Sequence, residues 1–251
     1  MGADPRPLPS CAQGMISDRN EDNMTDFYYL DRDLLVSVKP QGLLSEGEGP
    51  DCFPSLLAQA LGERGEKDTI LPVHRLDKET EGLMVYARTP QGAAALSRAI
   101  AEGAVKKEYL AVICGTPEQT EGTLRDLLFY DRQRSKSFVV DRSRKGVKEA
   151  ILDYKTLASR EGYSLVRIRL HTGRTHQIRV QFGSRGLPLC GDRRYGAPAS
   201  EFSLGLCSVL LAFPHPRNGQ PLRFSYLPGE KTTDPRTSPF SLFEEELGIQ
   251  K

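Results

Sequence analysis

The sequence predicts an α+β fold with a mixed, mostly antiparallel sheet and flanking helices. Short apolar runs with the period of a strand recur from Phe27 to Tyr226, whereas only three stretches carry helical spacing. Strands and helices also follow one another irregularly, without the regular alternation of a doubly wound parallel sheet.

The elements follow in order. Residues up to about Thr25 are rich in Pro, Gly, Asp and Asn and show no periodicity, so 1–26 is expected to be a flexible tail. Phe27–Leu30 and Leu34–Val38 read as strands around a turn at Asp31-Arg32-Asp33, and Lys39-Pro40-Gln41-Gly42 breaks the run. Phe53, Leu56, Leu57, Ala60 and Leu61 have the spacing of a short helix that Gly62 ends. Ile70–Val73 and Leu83–Ala87 are strands joined by a polar loop. A helix follows, with Thr89 as N-cap, Pro90 in its first turn and Gly103 as its stop. Lys106–Ile113 is a strand entered through two lysines, and residues 116–150 form charged hairpins. Ala150–Leu157 pairs with Tyr163–Leu170, in which Val166, Ile168 and Leu170 alternate with Arg167 and Arg169. A helix begins near Thr175, and Leu206–Phe213 and Leu222–Tyr226 supply the last strands. The catalytic domain is expected over 27–230, with 231–251 as a C-terminal tail that is polar apart from Phe240–Phe243.

Composition narrows the function classes. With 251 residues, 38% apolar and 27% charged, the chain suits a globular protein with an ample core. No apolar run approaches the ~18 residues of a bilayer-spanning helix, and no signal peptide opens the chain, so a cytoplasmic protein without membrane contact is expected. Cys11, Cys52, Cys114, Cys190 and Cys207 are scattered, without the close spacing of a zinc or redox motif. The 34 basic and 33 acidic residues nearly cancel. Yet Arg132, Arg134, Lys136, Arg142, Arg144, Lys145 and Lys148 cluster in one stretch, so a neutral total is compatible with a basic groove.

Three groups of residues carry candidate chemistry. The loop His74-Arg75-Leu76-Asp77-Lys78-Glu79-Thr80 is anchored by apolar strands on both sides, which is how reactive groups are held in place. Asp77 alone could serve a turn; among these neighbours it is a candidate catalytic carboxylate. Thr172-Gly173-Arg174-Thr175-His176-Gln177-Ile178-Arg179 supplies arginines, the natural partners of a carboxylate or phosphate. An arginine beside Asp77 would lower its pKa by about 1–3 units and keep it charged. Tyr109, behind Lys106 and Lys107, is either a half-buried strand tyrosine or a surface on which a base stacks.

These residues resemble a known family. His74-Arg75-Leu76-Asp77-x-x-Thr80-x-Gly82, Lys107-x-Tyr109, Thr172 through Arg179, and Gly191-Asp192-x-x-Tyr195-Gly196 occur in the order found in pseudouridine synthases of the RluA type. Lys39-Pro40-x-Gly42-Leu43 and Phe213-Pro214-His215-Pro216 fit the same layout, and the resemblance runs from about Leu34 to Phe224. It implies that fold, with a central active-site cleft, and isomerisation of uridine to pseudouridine in ribosomal or transfer RNA without metal or organic cofactor. By motif match, Asp77 would be the catalytic aspartate, Arg179 its basic partner and Tyr109 the residue that packs on the base. Arg75 would occupy the space left by the flipped nucleotide, and His74, Thr80, Lys107, Arg174, His176 and Gln177 would bind substrate. Three positions depart from the usual pattern: Glu81 for Ser, Gln181 for His, and Cys207-Ser208 in the late strand.

Two other readings stay open on the residues alone. A hydrolase would pair Asp77 with Glu79 or Glu81 as acid and base, and a binding module would keep the fold without turnover. The first 26 residues are too few for the N-terminal RNA-binding domain of many relatives, so a monomer reading a short local RNA shape is expected.

Overall fold

A computed structural model describes residues 25–228 and 237–249. The expected N-terminal tail lies outside the described residues, apart from Thr25 and Asp26. The strands are β1 (Phe27–Leu30), β2 (Leu34–Lys39), β3 (Leu71–Pro72), β4 (Glu81–Ala87), β5 (Lys106–Cys114), β6 (Glu121–Asp131), β7 (Lys136–Val140), β8 (Val147–Arg160), β9 (Tyr163–Leu170), β10 (Leu206–Pro214) and β11 (Pro221–Ser225). They form one sheet in the order β1-β2-β4-β10-β5-β9-β8-β6-β7, with β11 on β10 and β3 on β4. Only β4 and β10 pair in parallel among these strands; the other neighbours are antiparallel. The helices are α1 (Phe53–Glu63), α2 (Pro90–Ala101), α3 (Gln177–Gly183) and α4 (Glu244–Leu247).

The period-two pattern divides the core between the two faces of the sheet. On β4, Met84 and Tyr86 join one cluster while Leu83 and Val85 join the other. On β5, Tyr109, Ala111 and Ile113 share the first face, and Leu110 and Val112 the second. Phe53, Leu57 and Leu61 of α1 and Ile178 and Phe182 of α3 cover the first face. Leu96 of α2 covers the second, with Phe240 and Phe243. Each such side chain contributes about 1.5–3 kcal/mol on leaving water. Tyr109 and α3 therefore lie on the same side of the sheet.

Local signals act as the sequence implies in α2. Thr89 Oγ1 accepts from the Gly92 amide at 3.0 Å, and Gly103 follows the helix at a φ of 72°. The third helix begins later than expected. His176 sits in the left-handed region at φ 53°, so helical geometry starts only at Gln177. The early strand shrinks to Leu71–Pro72, and its partner begins two residues sooner, at Glu81. The segment expected as a C-terminal tail also differs. Phe240 and Phe243 are buried, because the second face of the sheet would otherwise expose apolar surface there.

A polar clasp joins the two ends of the domain. Asp31 accepts from the Asp33 and Leu34 amides and Tyr29 Oη, and lies 2.7 Å from His215 Nε2. Arg217 donates twice to Asp33, at 2.5 and 2.6 Å. These hydrogen bonds hold both carboxyls below the usual carboxylate range, against the opposing effect of burial. The carboxylates and imidazole are near enough to one another to share a cation, but every one is already bonded within the protein. The clasp ties the β1–β2 turn to the loop after β10.

Candidate active site

The loop between β3 and β4 carries His74 to Thr80 and is held from below by one lysine. Lys39 is fully buried at the end of β2, and its Nζ donates to the carbonyls of Pro40, Leu43 and Lys78 at 2.7, 2.9 and 3.1 Å. Burial depresses its pKa to about 8, with the carboxylates of Asp77, Glu79 and Glu81 opposing the shift. Ser45 adds a second tie: its Oγ donates to the Leu76 carbonyl at 2.8 Å and faces the Leu76 amide at 3.2 Å. The Gly42 amide donates to the Lys78 carbonyl at 2.9 Å. Gly82 closes the loop at a φ of 120°, and a Cβ there would lie 2.3 Å from the Ser208 carbonyl oxygen. Only glycine allows β4 to approach β10 so closely.

Above this base, Arg179 of α3 meets Asp77. Its Nη1 donates to Asp77 Oδ2 at 3.1 Å, across 102 residues of sequence. The other edge of the guanidinium is gripped by Asp192, with Nε to Oδ2 at 2.6 Å and Nη2 to Oδ1 at 2.9 Å. Both side chains of that grip are buried, and the guanidinium lies over the Tyr195 ring at 5.4 Å. Burial alone would weaken the charge on Arg179, but Asp192 and Asp77 more than offset it and raise its pKa. Asp192 thus aims the arginine. Gly191 makes this possible by turning at φ 75°, where a Cβ would strike the Ser203 carbonyl.

His176 approaches the same carboxylate. Its Nε2 lies 3.8 Å from Asp77 Oδ2, and its Nδ1 is 2.8 Å from Tyr195 Oη. The Ser137 amide donates to that phenol at 2.9 Å, which leaves the phenolic proton free to bond Nδ1. Burial lowers the His176 pKa, with Arg179 and Arg194 adding to the fall and Asp77 opposing it.

All ten residues named from the sequence line one cleft of about 750 Å³, the size of a small-molecule or nucleotide site. They do not all offer free groups. Gln177 accepts from Thr172 Oγ1 and the Arg174 amide and donates to the Ile151 carbonyl, so its amide holds the 172–177 turn together. Arg174 Nε donates to the Glu149 carbonyl at 2.9 Å. His74 Nε2 accepts from the Val85 amide at 3.1 Å, and burial keeps the ring neutral. Thr80 is buried, its amide bonded to the Asp77 carbonyl at 3.0 Å. Arg75 is exposed and pairs with Glu46 at 2.8 Å. Tyr109 is buried beside these groups, and desolvation, reinforced by the Asp77 charge, pushes its phenol well above the ordinary value.

The departures from the family pattern resolve in part. Glu81 is buried at the start of β4, where its charge acts on Lys39. Gln181 Nε2 donates to Asp126 Oδ2 at 2.7 Å, a carboxylate that Arg185 also clamps. Of the two arginines on β9, Arg169 lines the cleft and Arg167 does not. Arg132, Arg134, Arg142, Arg144 and Lys145 are exposed on the turns around β7. Sequence reasoning missed the work of Lys39, Asp192 and Tyr195, although each lies in a motif it quoted. A lysine at the end of a strand that is apolar apart from Ser37 was the available signal for Lys39; nothing local pointed to Arg179 as the partner of Asp192.

Comparison with known proteins agrees with the geometry. The family described as RNA pseudouridylate synthase matches residues 33–184. An uncharacterized RNA pseudouridine synthase of Bacillus subtilis is 32% identical over 207 residues, covering 79% of this chain and 67% of that protein. One from Aquifex aeolicus is 35% identical over 211 residues, covering 76% and 66%. The ribosomal large subunit pseudouridine synthase D of Vibrio cholerae is 32% identical over 222 residues, covering 81% and 67%. The alignments thus span about two-thirds of the length of these relatives. Human RNA pseudouridylate synthase domain containing 4 shares the fold with a TM-score of 0.68 at 23% identity, covering 90% of this chain and 94% of that one. Human RNA pseudouridylate synthase domain containing 1 does so with 0.65 at 20%, covering 92% and 97%. On the match over residues 33–184 and the relatives above 30% identity, the chain belongs to the RNA pseudouridylate synthase family.

Proposed function

We propose that this protein isomerises specific uridines of a ribosomal or transfer RNA to pseudouridine, with Asp77 opening the glycosidic bond. One observation carries the reading. Asp77 is the only acidic residue lining the cleft among the described residues, while Arg75, Lys106, Lys107, Arg169, Arg174 and Arg179 line it too. Such a cleft draws in a phosphate backbone and meets it with a single carboxylate.

The reaction needs few groups. The target base leaves its stack, at a cost of a few kcal/mol that phosphate contacts offset, and Arg75 at the rim takes its place. Tyr109 stacks on the uracil. Asp77 then attacks the ribose C1′, or removes the C2′ proton to form a glycal, as the N1–C1′ bond breaks. The freed uracil turns and C5 bonds to C1′ as the Asp77 oxygen leaves it, or, from the glycal, as C2′ regains its proton from Asp77. The C5 proton is lost while N1 gains one, so the product is an isomer of the substrate and the carboxylate is restored. Arg179, aimed by Asp192, keeps Asp77 in line.

Hydrolysis by paired carboxylates is disfavoured by the placement of its second member. Glu81 is buried beneath the loop, and the Glu79 carboxylate points to Arg179 at 3.7 Å without lining the cleft. Among the described residues no helix is long and apolar enough to cross a membrane. The test is Asp77→Asn against the unaltered protein on unmodified ribosomal and transfer RNA transcripts, with pseudouridine positions mapped. The variant is expected to bind RNA and form none. Undiminished pseudouridine would remove Asp77 from the mechanism, and free uracil as product would favour hydrolysis.

A further inference from the structure

We infer that Lys107 and His74 form a subsite for the carbonyl oxygens of the target uracil, where Lys107 stabilises the negative charge on the ring as its bond to ribose breaks. The inference rests on the isomerase reading above and assigns a second catalytic residue within it.

The placement comes from β5. Lys107 and Tyr109 are two residues apart on one strand, so their side chains share a face, and both line the cleft. A base stacked on Tyr109 would therefore have its edge near the Lys107 amine. That amine, on a half-buried residue, is unlike the two buried cations of the site. Lys39 gives its protons to three carbonyls, and Arg179 is bonded to two carboxylates. Among the described residues Lys107 has no ion-pair or hydrogen-bond partner for its amine, and burial alone brings its pKa down to about 8.

His74 presents a matching donor. Because Nε2 accepts from the Val85 amide, the ring proton of the neutral imidazole sits on Nδ1. That atom is buried and has no hydrogen-bond partner among the described residues. The Lys107 charge adds to burial in keeping His74 neutral, which places the two groups near each other. Two donors on residues that line one cleft, without an acceptor, are costly to leave unbonded, and they define what the ligand must bring. It must present oxygen acceptors that become more negative during the reaction.

Uracil does this. When N1–C1′ breaks, the electron pair stays on the ring and spreads onto O2 and O4. C1′ takes its new bond from the Asp77 carboxylate, or the sugar loses its C2′ proton to it. Lys107 donates a hydrogen bond to the ring oxygen throughout and ends protonated, so it appears in neither substrate nor product. The Asp77 charge acts on Tyr109 but not on Lys107, so the carboxylate does not neutralise the ammonium. A cytosine would turn its exocyclic amino group toward these donors and find no acceptor.

The test uses Lys107→Met and Lys107→Arg beside the unaltered protein and Asp77→Asn. The probes are pooled unmodified ribosomal and transfer RNA transcripts, and the same transcripts with 5-fluorouridine in place of uridine. Single-turnover loss of the target nucleoside is followed at saturating protein, with RNA affinity measured separately. Lys107→Met should lower the saturated rate on uridine about 10²–10³-fold, as removal of an oxyanion donor does, with affinity unchanged. The deficit should shrink on 5-fluorouridine, whose ring leaves more readily as an anion, and Lys107→Arg should recover part of the rate. Methionine removes an unbonded, half-buried charge, so thermal unfolding should not fall. An unchanged rate, an equal deficit on both bases, or a loss confined to affinity would overturn the inference, the last making Lys107 a phosphate contact. If Asp77→Asn is inactive while Lys107→Met is normal, only the subsite fails; if the unaltered protein converts no uridine, both readings fail.

Discussion

Replacing Asp192 with alanine should destabilise the fold and silence the site together. The side chains of Arg179 and Asp192 are 5% and 1% exposed and share two hydrogen bonds of 2.6 and 2.9 Å. An exposed ion pair is worth about 0–1 kcal/mol, but removing one member of a buried pair costs about 3–5 kcal/mol, because the other charge stays buried without its partner. Asp77 remains beside Arg179 and is itself only 16% exposed, so part of the charge stays matched. We therefore expect the lower half of that range, about 3–4 kcal/mol, or a fall in Tm of roughly 6–16 °C at about 2–4 °C per kcal/mol for a chain of this size. Urea denaturation measures the first quantity and circular dichroism on heating the second. Pseudouridine formation should fall as well, since Arg179 loses the grip that aims it at Asp77. The double variant Arg179→Met, Asp192→Leu separates the effects: it should regain most of the stability and remain inactive. A loss below about 1 kcal/mol for Asp192→Ala would refute the reasoning, by showing that solvent or another group serves Arg179 equally well.

Other expectations concern the loop and the lysines. Gly82→Ala combines a φ of 120° with a Cβ 2.3 Å from the Ser208 carbonyl oxygen, so it should lose at least about 3 kcal/mol in urea denaturation. Gly42→Ala, at φ 85° in open space, should lose only about 1 kcal/mol; equal losses would contradict the role given to the β10 contact. Arg75→Ala removes a side chain that is 59% exposed, so unfolding should shift by less than about 0.5 kcal/mol. Its turnover should fall more on a base-paired target than on a single-stranded one, and equal rates on both would remove Arg75 from base flipping. The Lys107 amine titrates near 8 in the folded chain and at 10.5 in the unfolded one. Between those values the unfolded chain binds more protons, so this lysine makes stability rise with pH. Relative to Lys107→Met, the protein should gain up to about 1.4 kcal/mol per pH unit across that window, and a constant difference would count against the buried amine.

The strand pattern was legible because it is local. Alternation along Leu83–Ala87 and Tyr109–Ile113 reports two buried faces wherever the strands finally pair. Thr89, Pro90 and Gly103 bounded α2 for the same reason, since a cap acts within one turn. The late start of α3 was not legible. His176 adopts a left-handed conformation where Gln177 folds back to bind Thr172 and Arg174, and that competition is invisible in helical spacing. Phe240 and Phe243 were set apart as a tail because a short apolar piece in a polar stretch gives no hint that a sheet face awaits it.

By itself the sequence determined the class of fold, the loop that presents Asp77, and the motifs that mark the family, for these depend on residues close together in the chain. Tertiary structure decided which groups are free to act. Asp77 and Arg179 are 102 residues apart, and they meet because β4, β10 and β5 lie side by side with α3 folded over one face. The same packing saturates Gln177 and Lys39 while leaving the Lys107 amine open to the cleft. Hydrogen-bond capacity is set by whatever the surrounding fold brings within about 3 Å, and a linear pattern holds no record of it.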